Sequence, residues 1–181
     1  MNMFHASLKN ILGYRRKQWR IIYEKLNDAE NDAKTPDFVA MVLEEKKEEV
    51  ADVISDICQQ NYKLLEHFII KVSSIQDKVF FHKLKGDLYR YSYEVKEREN
   101  KNEAKTISET YGFATELAKR KLPATSQIRL ATSLNYSVFL YDCMHQTEEA
   151  HEEAKSAFDE ALEGVEKIDD GDTLKEVIKA M

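Results

Sequence analysis

The stretch FHKLKGDLYRYSYEV, residues 81–95, is where the reading of the fold turns. It threads Lys83, Lys85 and Arg90 through a run of aromatic residues, and Gly86 alone weakens it as a helix. In a helix, Lys83, Asp87, Arg90 and Glu94 fall at i, i+4, i+7 and i+11 and line one stripe, with Lys85 on another side. The plain reading of that stripe is an exposed ladder of ion pairs, worth a few tenths of a kcal/mol per pair. The sharper reading is a set of cations that face something else. The chain as a whole is acidic, with a formal net charge of −6.

The composition supports helices throughout. The 181 residues suffice for one domain with a full core, or for two small ones. Hydrophobic residues make up 43% and charged residues 33%, which argues against global disorder. Five Gly and two Pro leave little material for turns, so an Ala-, Leu-, Glu- and Lys-rich chain points to long helices. Cys58 and Cys143 each sit inside an apolar helical pattern. Two Cys make no zinc site alone and no secreted disulfide framework, so two reduced, buried thiols and a cytoplasmic location are expected. No apolar run approaches the roughly 18 residues that span a bilayer, and no signal-peptide pattern opens the sequence. The acidic balance argues against nucleic acid and anionic membrane as partners.

Working outward from 81–95, the periodicity predicts seven helices, at about 1–26, 36–70, 76–98, 105–121, 125–144, 147–168 and 172–181. The first carries Phe4, Leu8, Ile11, Leu12, Trp19, Ile22 and Leu26 at spacings of three and four. Pro36 is placed to open the second helix, within which EEKKEE reads as a solvated face. ERENKNEAK (97–105) reads as a loop, and Pro123 ends the fourth helix. The last has Leu174, Val177, Ile178 and Met181 on one side, with Asp172 as its N-cap. AKSAFDEALE (154–163) has the spacing of a tetratricopeptide helix; one such segment is taken as helix-pair packing. No strand pattern or Gly-rich phosphate loop is present. The expectation is an all-α, antiparallel helical array of about seven helices forming one domain over 1–181.

Two further stripes match the first. Lys9 and Arg16 lie seven apart on one face of the first helix, with Gly13 between them and Arg20 beyond. A helical Gly costs about 1 kcal/mol relative to Ala, so Gly13 suggests close approach of something to the backbone. Two helices each bearing Lys-x6-Arg could converge on one anion. Guanidinium forks grip phosphate oxygens in pairs, and a Lys and the Tyr91 hydroxyl can fill the remaining positions. On the fifth helix Asn135, Val138 and Asp142 share a side. An Asn amide both donates and accepts and can clamp a peptide main chain; the plain reading is an ordinary polar edge. Glu148-x-x-His151 is half of a di-metal carboxylate pattern whose other half is missing, so no metal is expected. His67, His82 and Ser137 lack partners at catalytic spacing, so no catalytic residue is expected.

Three segments resemble the 14-3-3 family of phosphopeptide-binding adaptors: LKNILGYRRKQWRII (8–22), KVFFHKLKGDLYRYSYEV (78–95) and IRLATSLNYSVFLYD (128–142). SDICQQNYKLLEHF (55–68) and AKSAFDEAL (154–162) add to the match, which is ordered and covers most of the chain. The resemblance implies a concave peptide groove and a non-catalytic adaptor with no cofactor, whose partners are clients phosphorylated on Ser or Thr. It makes Lys9, Arg16, Arg90 and Tyr91 the phosphate-binding residues. Lys83, Leu134, Asn135, Val138, Asp142 and Ile178 become peptide-groove positions, with Asp142 standing where the family usually has Glu.

The resemblance begins inside the family's third helix and stops before an Asn and a Trp of its last. Because the family's dimer rests mainly on its first two helices, the usual dimer is not expected. A monomer, or a non-standard contact through residues 1–60, is expected instead, with Phe4, Leu8 and Phe38 left exposed. The alternative function is a helical scaffold of the same fold with weakened or lost phosphopeptide binding.

Overall fold

A computed structural model describes residues 2–32, 35–96 and 100–165, with side chains from residue 5 onward. Among the described residues there are six α-helices and no strand: α1 Asn2–Asn31, α2 Asp37–Lys71, α3 Ile75–Val95, α4 Lys101–Lys121, α5 Gln127–Asp142 and α6 Thr147–Val165. The predicted seventh helix, with Ile178, lies outside the described residues. The described residues fall into two compact units, one drawn from 1–61 and 91–98, the other from 62–90 and 99–181.

The first unit is built on α1, most of α2 and the last residues of α3. The three-and-four spacing of α1 buries Leu8, Leu12, Trp19 and Leu26, while α2 buries Val50, Ile54 and Cys58. Each such aliphatic side chain removed from water stabilises by about 1.5–3 kcal/mol before the entropy of ordering is counted. The helical period does not bury every apolar residue. Ile11, Tyr14, Phe38, Met41 and Val42 are exposed. Leu8, expected to be exposed, is buried, whereas Phe38 is 63% exposed as expected. Within EEKKEE, Lys46 pairs with Glu49 and Lys47 with Glu44 on the surface of α2.

The second unit holds the rest of α2 and α3 together with α4, α5 and α6. Phe68 of α2 stacks on Phe81 of α3, and the Tyr62 hydroxyl donates to the Leu88 carbonyl at 3.1 Å. Helix α4 starts four residues earlier than the sequence suggested. The Asn100 side-chain oxygen accepts from the backbone N–H groups of Asn102 and Glu103 and caps the helix. Pro123 stops α4 through the residue before it: Leu122 is forced into extended backbone, φ −119° and ψ 145°. The turn after α5 places His145 at φ 55°, and Gln146 N–H returns to the Leu140 carbonyl at 2.9 Å.

These short connectors make α4, α5 and α6 antiparallel neighbours. Ser108, early in α4, meets Tyr136, late in α5, at 3.1 Å. Arg129, early in α5, pairs with Glu160, late in α6. Leu130, Ala157 and Ala161 form a small core between α5 and α6. The Tyr111 ring of α4 lies 5.7 Å from that of Tyr136 and 6.0 Å from that of Phe139 on α5.

Candidate functional site

In the first unit, the inward stripe of α1 leaves Lys9 and Arg20 exposed and Arg16 half-buried at its margin. Glu94 of α3 is the organising group. Arg16 donates through Nε (2.9 Å) and Nη2 (2.5 Å) to Glu94 Oε2, and Arg20 donates through Nε (3.0 Å) and Nη2 to Oε1. Burial works against the Glu94 charge, but the two guanidinium groups outweigh it and hold the carboxyl below its ordinary range. Arg16 also lies over the Tyr91 ring, its Cζ 3.9 Å from the centroid. Ring and carboxylate together fix the plane of this guanidinium. Each arginine retains further N–H groups. Lys9 forms no ion pair among the described residues, and two guanidinium groups share the one Glu94 carboxylate.

In sequence, Glu94 stands on the same stripe of α3 as Arg90, four residues after it. Its carboxylate serves Arg16 and Arg20, on another helix. Helical spacing exposes only local partners, so this arrangement was not legible.

In the second unit, Lys83, Asp87 and Arg90 do share a stripe of α3, but it is not the exposed ladder of the plain reading. Lys83, Asp87 and Arg90 are 6%, 3% and 6% exposed. Asp87 is the hub. Its Oδ2 accepts from Lys83 Nζ at 2.7 Å. Its Oδ1 accepts from the Tyr111 hydroxyl at 2.6 Å and from Asn135 Nδ2 at 2.7 Å, with Arg90 Nη2 at 3.8 Å. Arg90 Nε in turn donates to the Tyr111 oxygen at 3.2 Å. Burial raises the Asp87 pKa, but the charges of Lys83 and Arg90 and the hydrogen bonds from Lys83 and Tyr111 prevail and hold it below 3.8. Buried charges are tolerated only when paired and hydrogen-bonded in this way.

The lone glycine of 81–95 has its explanation here. A β-carbon on Gly86 would come within 2.8 Å of Tyr111 Cε1, so the bare backbone makes room for the ring. Gly13 is the opposite case: among the described residues nothing lies within 4 Å of a β-carbon built there, and none makes the close approach expected from the sequence. Tyr111 was missed because neither its spacing on α4 nor its neighbours in sequence mark it.

The remaining groove positions lie on α5. Leu134 is exposed, Asn135 and Val138 are half-buried and Asp142 is exposed. Leu134 borders a cavity of about 310 Å³ formed with Leu130 of α5 and with Ala154, Ala157 and Phe158 of α6, a mainly apolar surface. Both cysteines are buried thiols outside any disulfide, as expected, and burial pushes the Cys58 thiol up to about 12. Glu148 and His151 are exposed on α6, and no metal-binding cluster of three or more His, Cys, Asp or Glu occurs among the described residues. No described helix is long and apolar enough to cross a membrane.

Comparison with known proteins agrees with these elements. The family profile described as 14-3-3 protein matches residues 1–181. The chain is 34% identical over 170 residues to 14-3-3-like protein 1 of Caenorhabditis elegans, covering 93% of this chain and 67% of that protein. It is 39% identical over 163 residues to 14-3-3 protein I of Plasmodium falciparum, covering 89% of this chain and 62% of that one. It is 37% identical over 169 residues to the checkpoint signal transducer rad25 of Schizosaccharomyces pombe, covering 92% and 62%. The chain thus spans roughly two thirds of the length of these relatives. A profile matched from end to end, and relatives above 30% identity, place the chain in the 14-3-3 protein family.

Proposed function

We propose that this protein is a non-catalytic cytoplasmic adaptor that binds client proteins phosphorylated on Ser or Thr. Lys9, Arg16, Arg90 and Tyr91 take the phosphate. Lys83, Leu134, Asn135, Val138, Asp142 and Ile178 hold the flanking peptide. One observation carries the reading: Glu94 holds Arg16 beside Arg20 while Arg16 lies over the Tyr91 ring, a cation set with donors to spare. Such a preorganised guanidinium suits a tetrahedral dianion better than a single surface charge does. Arg90 directly precedes Tyr91 in the chain, and its charge is balanced by Asp87 rather than lost. A monomer, or a non-standard contact through residues 1–60, belongs to the same proposal. The exposed Ile11, Tyr14, Phe38 and Met41 support it.

The test is a titration of the whole chain with a degenerate library of phosphoserine peptides and with the same library unphosphorylated. Binding of the phosphorylated set alone is the expected result. Equal binding of both sets, or of neither, favours the scaffold without phosphate recognition.

A further inference from the structure

We propose that Tyr111 is a positioning residue for Asn135: its hydroxyl fixes the Asp87 carboxylate, and that carboxylate holds one side of the Asn135 amide. The inference deepens the phosphopeptide reading, on which its functional consequence rests. All the groups concerned lie in the second unit.

The chain of contacts begins with a ring that cannot move. Tyr111 has no exposed surface, packs against the bare backbone of Gly86 and lies against the rings of Tyr136 and Phe139, which also contact each other. Its hydroxyl is therefore delivered to one place. There it donates to Asp87 Oδ1 at 2.6 Å and accepts from Arg90 Nε at 3.2 Å. Burial, with Asp87 beside it, pushes the phenol well above its ordinary value, so the hydroxyl keeps its proton and remains a donor.

The next step follows from donor and acceptor chemistry. An ionised carboxylate only accepts. Asn135 must then turn its nitrogen, not its oxygen, toward Asp87, and Nδ2 does lie 2.7 Å from Oδ1. This commits one N–H of the amide. The carbonyl oxygen and the second N–H have no hydrogen bond among the described residues. One acceptor and one donor are what a peptide main chain presents in complementary form.

Without the hydroxyl the arrangement loosens. Lys83 still holds Oδ2, but Oδ1 keeps only the Asn135 amide and the more distant Arg90. Rotation about the last torsion of an Asp side chain is broad, so the carboxylate turns and the amide loses its fixed partner. A merely structural tyrosine would act through its ring, which Tyr111→Phe preserves.

The experiment uses the full chain labelled with ¹⁵N. The side-chain amide signals of Asn135 are those missing from Asn135→Ala. In Tyr111→Phe these signals are expected to shift and to exchange with solvent about tenfold faster. Affinity for a phosphoserine peptide selected from the degenerate library should fall by roughly threefold to tenfold, the worth of one hydrogen bond. In the Asn135→Ala background the same substitution should cost less than about twofold, because the two residues act as one unit. Unaltered Asn135 signals overturn the proposal, as do losses that multiply in the double variant. Should Tyr111→Phe not fold, Asp87→Asn is read in the same way, and unaltered protection of the Asn135 amide there also overturns it. Absence of phosphopeptide binding by the unmodified chain would sink the adaptor reading alone. The amide signals would still decide whether Tyr111 holds Asn135.

Discussion

Gly86 and Tyr111 are fitted to each other: the ring of Tyr111 occupies the space that a β-carbon at position 86 would need, with Cε1 and Cδ1 at 2.8 and 2.9 Å. The ring is fully buried and packed on its other sides, so it cannot yield. Gly86→Ala is expected to destabilise the protein by about 1–3 kcal/mol, the cost of overpacking a filled core, despite the better helix propensity of Ala. Gly13→Ala should do the reverse. The site is helical and open, so the substitution adds about 1 kcal/mol of helix propensity and displaces no neighbour. Urea midpoints for the two variants moving in opposite directions would bear this out, and a shift of the same sign in both would contradict it.

A second expectation concerns acid. Asp87 and Glu94 both have lowered pKa values when folded, so the unfolded chain binds protons more readily. Their stabilisation is complete above their ordinary values, 3.8 and 4.5, and is lost as pH falls below these toward the lowered ones. His82, which faces Phe113 at 4.6 Å, is pushed down by burial and by Lys85. Its neutral form is favoured by folding, so stability also declines as pH drops through 6.5. Asp87→Asn removes one carboxylate of this set. Its stability should depend less steeply on pH between about pH 5 and 3 than that of the unmodified chain. Equal slopes would show that Asp87 is not among the groups linked to unfolding.

How much of this was legible depends on the range of the forces involved. Helix existence follows from local periodicity, and the pattern placed all six described helices within a few residues. The largest boundary errors are at the end of α1, which runs on to Asn31 rather than stopping at about 26, and at the start of α4, where ERENKNEAK was read as a loop. Asn100, followed by Glu103, was a capping signal in plain view. The stripe Lys83–Asp87–Arg90 was also legible, but its burial was not. Whether a charged stripe faces water or other charges depends on Tyr111 and Asn135, which lie 24 and 48 residues beyond Asp87. The two glycines make the same point. Close approach was expected at Gly13 and is found at Gly86, where the packing of α4 on α3 brings in Tyr111. Phe4, Leu8 and Phe38 were named together as exposed candidates; the Phe4 side chain lies outside those described, Phe38 is exposed, and Leu8 is buried with Leu12 and Trp19 of the same helix.

The buried thiols yield a chemical prediction. Cys58 has no exposed surface and Cys143 only 7%. The thiolate is the reactive form, and a thiol whose pKa is pushed to about 12 supplies almost none of it at neutral pH. A water-soluble disulfide reagent is expected to leave Cys58 unmodified in the native protein and to titrate both cysteines after denaturation. Rapid native labelling of Cys58 would show that the first unit opens far more readily than its packing implies.

The last prediction separates phosphate binding from folding. Lys9 is exposed and forms no ion pair among the described residues, so Lys9→Glu removes nothing that the fold uses. Arg90 is different: it is 6% exposed, donates to Tyr111 and helps balance the buried Asp87. Losing one partner of a buried ion pair costs about 3–5 kcal/mol, so Arg90→Ala should lower the melting temperature as well as weaken binding. Its binding loss alone is therefore ambiguous. Lys9→Glu carries the cleaner result. A charge-assisted hydrogen bond to phosphate is worth about 1.5–3 kcal/mol, or roughly tenfold to a hundredfold in affinity. Reversal of the charge adds repulsion, so the loss should reach about a hundredfold or more for a phosphoserine peptide, at an unchanged melting temperature. It should also shrink in high salt, because an exposed charge is screened. If Lys9→Glu bound the phosphorylated peptide as tightly as the unmodified chain, Lys9 would have no part in the pocket. The same result for Arg16→Ala would leave the scaffold reading in place of the adaptor.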